Sequence, residues 1–367
     1  MTSSFDVIII GGGAIGAACA RELARERRRV LILDRAEESG TAWRAAAGML
    51  APQIESDDNE SLYELGVASR DRYAVLQGEL REATSVDIGL WREGIARVAF
   101  DEADAAALKA NVAWQRQQGH RCDWLDSGEA KSQWPWLQTP LGALWSPLDG
   151  ALDPVKLVGA LLADARQHGA TLLRQTARRI ERDGDRAVAV VADERFAADD
   201  IIVAGGAWSG RLEGLPRPLS VEPVRGQMAA FPWPSDVPRA ILYHQHGYVL
   251  ARGEEALIGS TMEYAGFDAS VTDSGQQRIW SAVRQLCPPL ATRPATRSWA
   301  GLRPVTPDGL PILGPAPDLS HLWYATGHGR NGILLAAITA VLLQQMLRGE
   351  PVHEHVKALD PSRLWVW

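Results

Sequence analysis

The fold is decided by Phe5-Asp-Val-Ile-Ile-Ile10-Gly11-Gly-Gly13-Ala-Ile-Gly16. Its first six residues are apolar except for one aspartate and rich in isoleucine and valine, which is typical of a strand buried on both faces of a parallel sheet. The glycine-rich segment leads into residues 17–26, whose apolar side chains recur with a helical period. A second apolar run, Val30-Leu-Ile-Leu33, ends at Asp34. This order predicts a strand, a tight turn, a helix and a second strand, which is the dinucleotide-binding unit of a Rossmann-type sheet.

Each part of this unit has a chemical reason. Gly11 permits the tight turn, Gly13 has no side chain to block a pyrophosphate, and Gly16 lets the helix approach the strand. The helix N-terminus offers free N–H groups and a positive dipole end to the phosphates. Asp34 would accept hydrogen bonds from a ribose diol, and its charge disfavours a 2′-phosphate. The unit therefore predicts NAD or FAD as the ligand, without distinguishing the two.

Composition narrows the class of protein. The chain has 367 residues, enough for two domains, with 46% hydrophobic and 23% charged residues. The net charge of −7, with no basic run longer than Arg27-Arg28-Arg29, argues against a nucleic-acid partner. The three cysteines form no CxxC motif, so we expect neither a disulfide framework nor a zinc site, and we expect a cytoplasmic protein. The longest apolar segment, Ile333 to Leu343, is too short to span a bilayer, so no membrane association is expected.

The middle of the chain contains two kinds of strand pattern, continuous apolar runs and period-two alternation. Residues 201–203 form an apolar run that would lie beside the first strand, and Asp183-Gly184 predicts a hairpin turn. Residues 224–231, 240–252 and 256–262 alternate at period two, which predicts an antiparallel sheet whose middle strand carries His244, His246 and Tyr248 on one face. Because no third ligand is in view for the two histidines, no metal site is predicted.

A second strand, glycine turn and helix follow near the end of the chain. Leu322 to Thr326 predicts a strand, Gly327-His-Gly-Arg330-Asn-Gly332 a turn, and residues 332–348 a helix. The sequence therefore predicts an α/β protein in which a Rossmann-type FAD-binding domain (residues 1–85, 146–220 and 301–367) is interleaved with an α+β substrate domain built on an antiparallel sheet (residues 86–145 and 221–300).

Together these pieces resemble the flavin-dependent amine oxidases of the D-amino acid oxidase superfamily, and within it the glycine oxidase group of thiazole biosynthesis. The resemblance covers nearly the whole chain. It is carried, besides the first glycine unit, by the segments Ala45-Ala-Ala-Gly-Met-Leu50, Tyr243-His-Gln-His-Gly-Tyr248, Gly259-Ser-Thr-Met262, Trp299-Ala-Gly-Leu-Arg-Pro304 and Gly327-His-Gly-Arg-Asn-Gly-Ile-Leu334. Each segment is weak evidence alone, and their joint order is strong.

The resemblance implies non-covalent FAD and a set of residues that contact it. The phosphates would meet Ala14 and Ile15 beside the glycines, and the adenosine would meet Asp34 and Arg35. The remaining contacts would come from Ala42, Trp43, Ala47, Gly48, Met49, Ala177, His328, Gly329, Arg330, Asn331, Gly332, Ile333 and Leu334. The family often has hydroxyl residues where this chain has Ala42 and Trp43, and Thr41 is the neighbouring hydroxyl.

The resemblance also implies the substrate site. The substrate carboxylate would be held by Arg303, Arg330 and the Tyr248 hydroxyl, with Met262 lining the pocket. A guanidinium grips a carboxylate through two parallel hydrogen bonds, which fixes the α-carbon for hydride transfer to flavin N5. No side chain is required as an acid or base, because the substrate binds with its amine neutral. N–H groups at the start of the last helix would stabilise negative charge on the reduced flavin.

The expected function is FAD-dependent oxidation of glycine and small amines such as sarcosine or small D-amino acids. Dioxygen would be the acceptor, and the products would be an imine or glyoxylate, ammonia and hydrogen peroxide. The resemblance implies supply of the glycine imine to thiazole formation for thiamine, with a possible transfer to thiazole synthase, and a homotetramer. Two alternatives stay open: a D-amino acid or N-methyl amino acid dehydrogenase that reduces a quinone or carrier, and a non-catalytic flavin- or NAD-binding subunit.

Overall fold

A computed structural model describes residues 4–35, 39–55, 60–244 and 247–365. Its described part contains 18 strands and eight α-helices. The strands are β1 Ser4–Ile10, β2 Val30–Leu33, β3 Met49–Leu50, β4 Ile95–Ala99, β5 Asp123–Asp126, β6 Gly142–Ser146, β7 Gly150–Ala151, β8 Thr171–Leu173, β9 Arg179–Asp183, β10 Arg186–Val191, β11 Arg195–Val203, β12 Glu222–Pro232, β13 Ile241–His244, β14 Gly247–Arg252, β15 Glu255–Gly259, β16 Arg297–Val305, β17 Ile312–Pro315 and β18 Leu322–Thr326. The helices are α1 Ala14–Arg25, α2 Ala42–Ala45, α3 Glu60–Thr84, α4 Glu102–Gln117, α5 Ser127–Gln133, α6 Pro154–Gln167, α7 Asp273–Leu286 and α8 Gly332–Leu347.

The first sheet is the predicted Rossmann-type sheet. Its main order is β17-β18-β11-β1-β2-β8, and every neighbouring pair is parallel except β17 with β18. The β9–β10 hairpin extends it from β11 and turns at the predicted Asp183-Gly184 position. The first strand is buried on both faces as the apolar run predicted: Val7 and Ile9 face one core, and Ile8 and Ile10 face the other. This confirms the predicted fold class.

Helices α1, α3, α6 and α8 cover one face of this sheet. At the start of α6 the Asp153 carboxylate caps the helix, since it accepts hydrogen bonds from the N–H groups of Val155 (2.9 Å) and Lys156 (3.2 Å). The stretch Gly329–Leu347 has the length and hydropathy of a membrane span, longer than the apolar run read from the sequence. In the fold it is a core helix, because its leucines pack against α1 and α3 and Ser69 Oγ donates to Leu334 O.

The second sheet has the order β16-β12-β15-β14-β13-β4-β6-β5, with all pairs antiparallel except β13 with β4. One prediction for this sheet is wrong. Residues 240–252 are not a single strand but a hairpin of β13 and β14, in which His244 lies opposite Gly247. A period-two pattern continues across a tight hairpin, so alternation alone did not reveal the turn. His244 and Tyr248 consequently lie on different strands, and His246 lies outside the described residues.

The two sheets are tied together by chain crossings. Leu302 N donates to Gly40 O at 2.9 Å, which joins β16 of the second sheet to the segment before α2. β16 also runs across residue 300, where the sequence analysis placed a domain boundary, and β6 ends at the boundary proposed near residue 146. The division into domains stays a prediction, and the point that matters for function is that one cavity has walls from both sheets.

Candidate active site

A cavity of about 590 Å³ lies between the two sheets. Its walls come from both glycine turns, from the segment around α2 and from strands β12, β14 and β16. The predicted site residues that line it are Gly11, Gly13, Ala14, Ile15, Asp34, Arg35, Ala42, Trp43, Ala177, Tyr248, Arg303, His328, Gly329, Arg330, Gly332 and Ile333. The predicted site residues that do not line it are Gly16, Ala47, Gly48, Met49, Met262, Asn331 and Leu334.

The first glycine turn has the geometry that the spacing predicts. Gly11 has a φ of +109°, and a Cβ there would meet Ala204 O at 2.4 Å. A Cβ on Gly16 would lie 1.9 Å from Gly11 O, so Gly16 serves the close approach of helix and strand and not the cavity. Helix α1 begins after Gly13 without a side-chain cap and with no acidic residue in its first turn. Its first N–H groups are therefore available to an anion in the cavity.

The Asp34 carboxylate lies at the other end of this turn. Its Oδ1 accepts from Gly12 N at 3.0 Å, and its Oδ2 pairs with Arg174 Nη1 at 2.6 Å. The adjoining wall is aromatic, because the Arg35 guanidinium lies 3.9 Å from the ring centroid of Trp208, which also lines the cavity. The sequence analysis did not identify Arg174 or Trp208, since both come from distant segments of chain.

The second glycine turn places another helix end at the cavity. α8 follows Asn331 without a side-chain cap and with no acidic residue in its first turn. His328 is buried, its Nε2 lies 3.1 Å from Thr339 Oγ1, and its Nδ1 has no hydrogen-bond partner in the described part of the chain. Burial lowers the pKa of His328 to about 3, so the ring is neutral near pH 7. Leu334 points into the helical core instead of the cavity.

The segment after α2 approaches the site less closely than the resemblance implied. Gly48 has a φ of +80°, and a Cβ there would lie 2.1 Å from Leu152 O, so the glycine serves packing against another loop. Met49 pairs with Ala151 in the small β3–β7 sheet. Ala47 O accepts a hydrogen bond from Arg252. The geometry gives these three residues structural contacts and no exposure to the cavity.

Arg303, on β16 of the second sheet, presents a cation to the cavity. Its Nη1 donates to Thr261 O at 3.0 Å and its Nη2 donates to Ser260 Oγ at 2.6 Å. Burial lowers the pKa of Arg303, with smaller opposing effects from Tyr248 and Glu55. Within the described ranges Arg303 forms no ion pair with any carboxylate. A half-buried guanidinium held by neutral acceptors at a cavity wall is a binding element for an anionic group.

Cross-strand neighbours shape the space beside this guanidinium. Tyr248, Gly259 and Met228 occupy matching register positions on β14, β15 and β12. The Tyr248 hydroxyl lies 3.2 Å from Met228 Sδ, and burial raises the pKa of Tyr248, so the hydroxyl keeps its proton. A Cβ on Gly226 would lie 2.2 Å from Arg303 Nη1. Gly226 and Met228 line the cavity and were missed, because cross-strand register cannot be read from one sequence.

Arg330 and Met262, for which the resemblance implied a second carboxylate contact and a pocket wall, lie in different surroundings. The Arg330 Nε lies 3.2 Å from Glu55 Oε2, and Nη2 donates to Glu55 O at 3.1 Å. Arg330 does line the cavity, but its charge is already paired. Met262 is 58% exposed and does not line the cavity. Tyr243, which stacks on Tyr248 at a centroid distance of 6.3 Å, is a neighbour that the sequence analysis did not name as a site residue.

These residues suit a flavin dinucleotide. Two uncapped helix N-termini face one cavity, which provides positive potential for a diphosphate at one and for an electron-rich ring edge at the other. Asp34 is placed for a ribose, and His328 Nδ1 is a polar atom of the wall that no described residue satisfies with a hydrogen bond. The guanidinium of Arg303 on β16, in the wall that the second sheet contributes, completes the arrangement. Fold and site together define a dinucleotide-binding protein whose cofactor cavity also contains a position for an anionic group.

The comparisons with known proteins give the family. The family model described as FAD dependent oxidoreductase matches residues 6–346, so the chain belongs to that family. A glycine oxidase of Geobacillus kaustophilus is 36% identical over 95% of this chain and 94% of its own length, and one of Pseudomonas aeruginosa is 32% identical over 98% and 99%. The crystal structure of glycine oxidase from Geobacillus kaustophilus matches with a TM-score of 0.93, 34% identity and 99% coverage of both chains.

Another relative joins two activities in its name. The bifunctional protein ThiO/ThiG of Synechocystis is 34% identical over 99% of this chain, which spans 54% of that longer protein. These findings confirm the predicted fold, the FAD cofactor and the resemblance to glycine oxidases. The protein is an FAD-dependent enzyme of the amino acid oxidase type.

Proposed function

We propose that the protein catalyses the oxidative deamination of glycine and other small amines, such as sarcosine and small D-amino acids. Glycine, dioxygen and water would give glyoxylate, ammonia and hydrogen peroxide. The observation that carries the proposal is the Arg303 guanidinium, which lines the FAD cavity and has no carboxylate partner among the described residues. The names of the curated relatives support an amino acid as the substrate.

The protein's own residues would position the substrate. Arg303 would bind the substrate carboxylate through two parallel hydrogen bonds, and the protonated Tyr248 hydroxyl would donate a third. This fixes the α-carbon in the cavity, and positioning of this kind supplies much of the rate enhancement of such a reaction. Bound non-covalently, FAD supplies the two-electron acceptor for the α-carbon and passes the electrons to dioxygen.

The residues around the cofactor would have separate tasks. Gly11, Gly13, Ala14 and Ile15 would hold the phosphates at the start of α1. Asp34, Arg35 and Ala177 would hold the adenosine half, and Ala42 and Trp43 would cover the middle of the cofactor. The turn from His328 to Ile333 would lie against the ring that accepts electrons, where its N–H groups stabilise negative charge. A neutral His328 adds no competing cation there.

The substrate amine must lose its proton before the α-carbon is oxidised, because the nitrogen lone pair drives the loss of hydride. The imine formed would leave the cavity and be hydrolysed by water, or be transferred directly to a thiazole synthase for thiamine synthesis. The fused relative named ThiO/ThiG supports the transfer. We further propose a cytoplasmic homotetramer, in line with the sequence analysis.

The proposal is tested by mixing the yellow holoenzyme anaerobically with glycine, sarcosine, D-alanine and D-proline. Loss of flavin absorbance with at least one of them, followed by peroxide formation on admission of air, is the expected result. Bleaching without peroxide would favour a dehydrogenase that reduces a quinone or carrier. A yellow protein that none of these amines bleaches would favour a non-catalytic flavin-binding subunit.

Arg303→Ala provides the first residue-specific prediction. Removing the guanidinium should weaken the apparent affinity for glycine about 100-fold or more, because two charge-assisted hydrogen bonds are lost. FAD should stay bound, since the cofactor contacts lie elsewhere in the cavity. Stopped-flow bleaching at increasing glycine concentration measures this. Arg303→Lys keeps the positive charge but not the planar pair of N–H donors, so its affinity for glycine should be intermediate. Arg166→Ala, at an exposed position, serves as the control. Unchanged affinity in Arg303→Ala would remove Arg303 from the site.

A further inference from the structure

The end of helix α2 and the two residues after it form a short segment at the cavity that the second sheet holds in place. Ala45 and Ala46 line the cavity. The indole Nε1 of Trp299 donates a hydrogen bond to Ala45 O at 3.1 Å, and the Arg252 guanidinium donates one to Ala47 O. Trp299 lies on β16 and Arg252 on β14, so both donors come from the second sheet. That sheet therefore fixes the backbone carbonyls on both sides of Ala46.

Arg252 is a cation that forms no ion pair with a carboxylate in the described part of the chain. Its Nη2 donates to Leu152 O at 2.8 Å as well as to Ala47 O, so its acceptors are neutral carbonyls. Burial lowers the pKa of Arg252, and Asp153 is the largest opposing influence. Removing a guanidinium from water costs free energy that an apolar side chain at the same place would not cost. The two carbonyls that it holds account for an arginine at this position, and one of them belongs to the cavity segment.

The two donors share their strands with the groups proposed to bind the substrate. Trp299 and Arg303 are four residues apart on β16, and Tyr248 and Arg252 are four residues apart on β14. Side chains separated by an even number of residues along a regular strand point to the same face of the sheet. Each of the two strands therefore presents, on one face, a donor to the cavity segment and a group for the substrate carboxylate.

Trp299 is itself fixed by its neighbours. The Arg297 guanidinium lies 4.4 Å from the ring centroid of Trp299, and it pairs with Glu255 of β15 at 2.7 Å. Gly301 follows two residues later on β16, and a Cβ there would lie 2.4 Å from Ala45 Cβ. One hydrogen bond and one close backbone contact therefore set the distance between β16 and this part of the cavity wall.

We propose that Arg252 and Trp299 are positioning residues for flavin reduction. They hold residues 45–47, and with them part of the cofactor cavity wall, in register with the carboxylate-binding groups on the same two strands. Neither side chain lines the cavity. The inference rests on the proposed function, in which a carboxylate bound at Arg303 places the α-carbon at the flavin ring. Because a misplacement of about 1 Å can lower a rate about 100-fold, a shift of this wall lowers the rate of flavin reduction more than the affinity for the substrate.

The test compares the FAD-loaded enzyme with Arg252→Met, which keeps an unbranched side chain and removes its N–H donors. Anaerobic stopped-flow mixing gives the rate constant of flavin reduction at saturating glycine. The perturbation of the flavin absorbance spectrum gives the Kd of propionate, an inert monocarboxylate. In Arg252→Met reduction should be about tenfold slower or worse, the flavin absorbance maximum should shift, and the propionate Kd should change less than about threefold. Arg252→Lys, which retains a charged donor, should be reduced at least about threefold faster than Arg252→Met.

Trp299→Phe is an independent test that does not depend on Arg252→Met folding and retaining FAD. It keeps an aromatic ring beside Arg297 and loses only the indole donor, so reduction should be about fivefold slower. Trp233→Phe is the matched control. It removes an indole that donates to Val237 O at 2.8 Å away from the cavity, and it should be reduced at the rate of the unmodified enzyme.

Two results would overturn the proposal. One is a reduction rate within twofold of the unmodified enzyme in each variant that retains FAD, and the other is a propionate Kd that rises as much as the reduction rate falls. Failure of the proposed function has a different signature, since no amine would then bleach the flavin of the unmodified enzyme. In that case a shifted flavin absorbance maximum with an unchanged propionate Kd still supports the positioning role, and an unshifted maximum overturns it.

Discussion

His328 illustrates how a single buried residue ties the cofactor site to pH. The residue is 2% exposed and its ring is neutral, since burial lowers its pKa to about 3. In the unfolded chain a histidine has a pKa of about 6.5. Between those values the unfolded state binds one more proton than the folded state, so the free energy of unfolding falls as the pH falls. The stability that depends on neutral His328 is present above pH 6.5 and is lost progressively toward pH 3.

The prediction is that His328→Gln makes the stability less sensitive to acid. Between pH 7.5 and pH 5.0 the unmodified protein should lose about 2 kcal/mol through this residue, and the variant should lack that loss. Urea unfolding with saturating FAD at the two pH values gives both free energies. The matched control is His353→Gln, at an exposed histidine, and this variant should show the acid sensitivity of the unmodified protein. Equal acid sensitivity in His328→Gln and the unmodified protein would contradict the prediction.

At the scale of elements, the backbone of Gln53 and Ile54, just before Glu55, is held by a buried polar cluster. The Asp149 carboxylate accepts from Gln53 N at 3.0 Å and from Ile54 N at 2.9 Å, and it pairs with Arg70 Nη1 at 2.9 Å. Burial raises the pKa of Asp149 to about 6 although Arg70 opposes the shift. The cluster fixes the backbone just before Glu55, so it positions the ion pair at the cavity from a distance.

Asp149→Asn should therefore affect both stability and binding. The buried Arg70 loses its buried carboxylate partner and keeps only the Gln53 amide oxygen (2.6 Å) and the exposed Asp71 (2.8 Å), which should destabilise the protein by about 2 kcal/mol. The loosened segment should weaken propionate binding a fewfold while FAD is retained. Urea unfolding and the flavin absorbance titration measure the two effects. The double variant Asp149→Asn/Arg70→Met keeps an amide oxygen for Gln53 N and Ile54 N and leaves no buried charge without its partner, so part of the lost stability should return but the binding defect should remain. Intact propionate binding in Asp149→Asn would show that the cluster does not position this segment.

Several elements were predictable because their signals are local. The apolar run, the glycine spacing and Asp34 specify β1, α1 and β2 within about thirty residues of chain. The hairpin at β13 and β14 was not predictable, since its alternation continues across the turn. The pairing of Glu55 with Arg330 was also not predictable, because the two residues come from distant loops with no periodic pattern.

At the scale of the whole molecule, the cavity couples the two sheets. The first sheet and the helices packed on it contribute Gly11 and Gly332 to the cavity walls, and the second sheet contributes Gly226 and Tyr248. The chain crosses between the two sheets repeatedly. A ligand that fills this cavity binds the folded protein and not the unfolded chain. It therefore stabilises the folded state by an amount that grows with the logarithm of ligand concentration, about 1.4 kcal/mol for each tenfold increase.

We expect FAD to set the melting temperature of the entire protein. Each tenfold increase of FAD above its Kd should raise the Tm of the deflavinated protein by about 2 °C, in one cooperative transition for both sheets. Differential scanning calorimetry over a series of FAD concentrations measures this. NAD is the matched control, since it shares the adenosine diphosphate half with FAD, and at the same concentrations it should give a much smaller shift. A shift of equal size with NAD would mean that the second glycine turn and β12, β14 and β16 do not take part in cofactor binding, and two separate transitions would mean that the cavity does not couple the sheets.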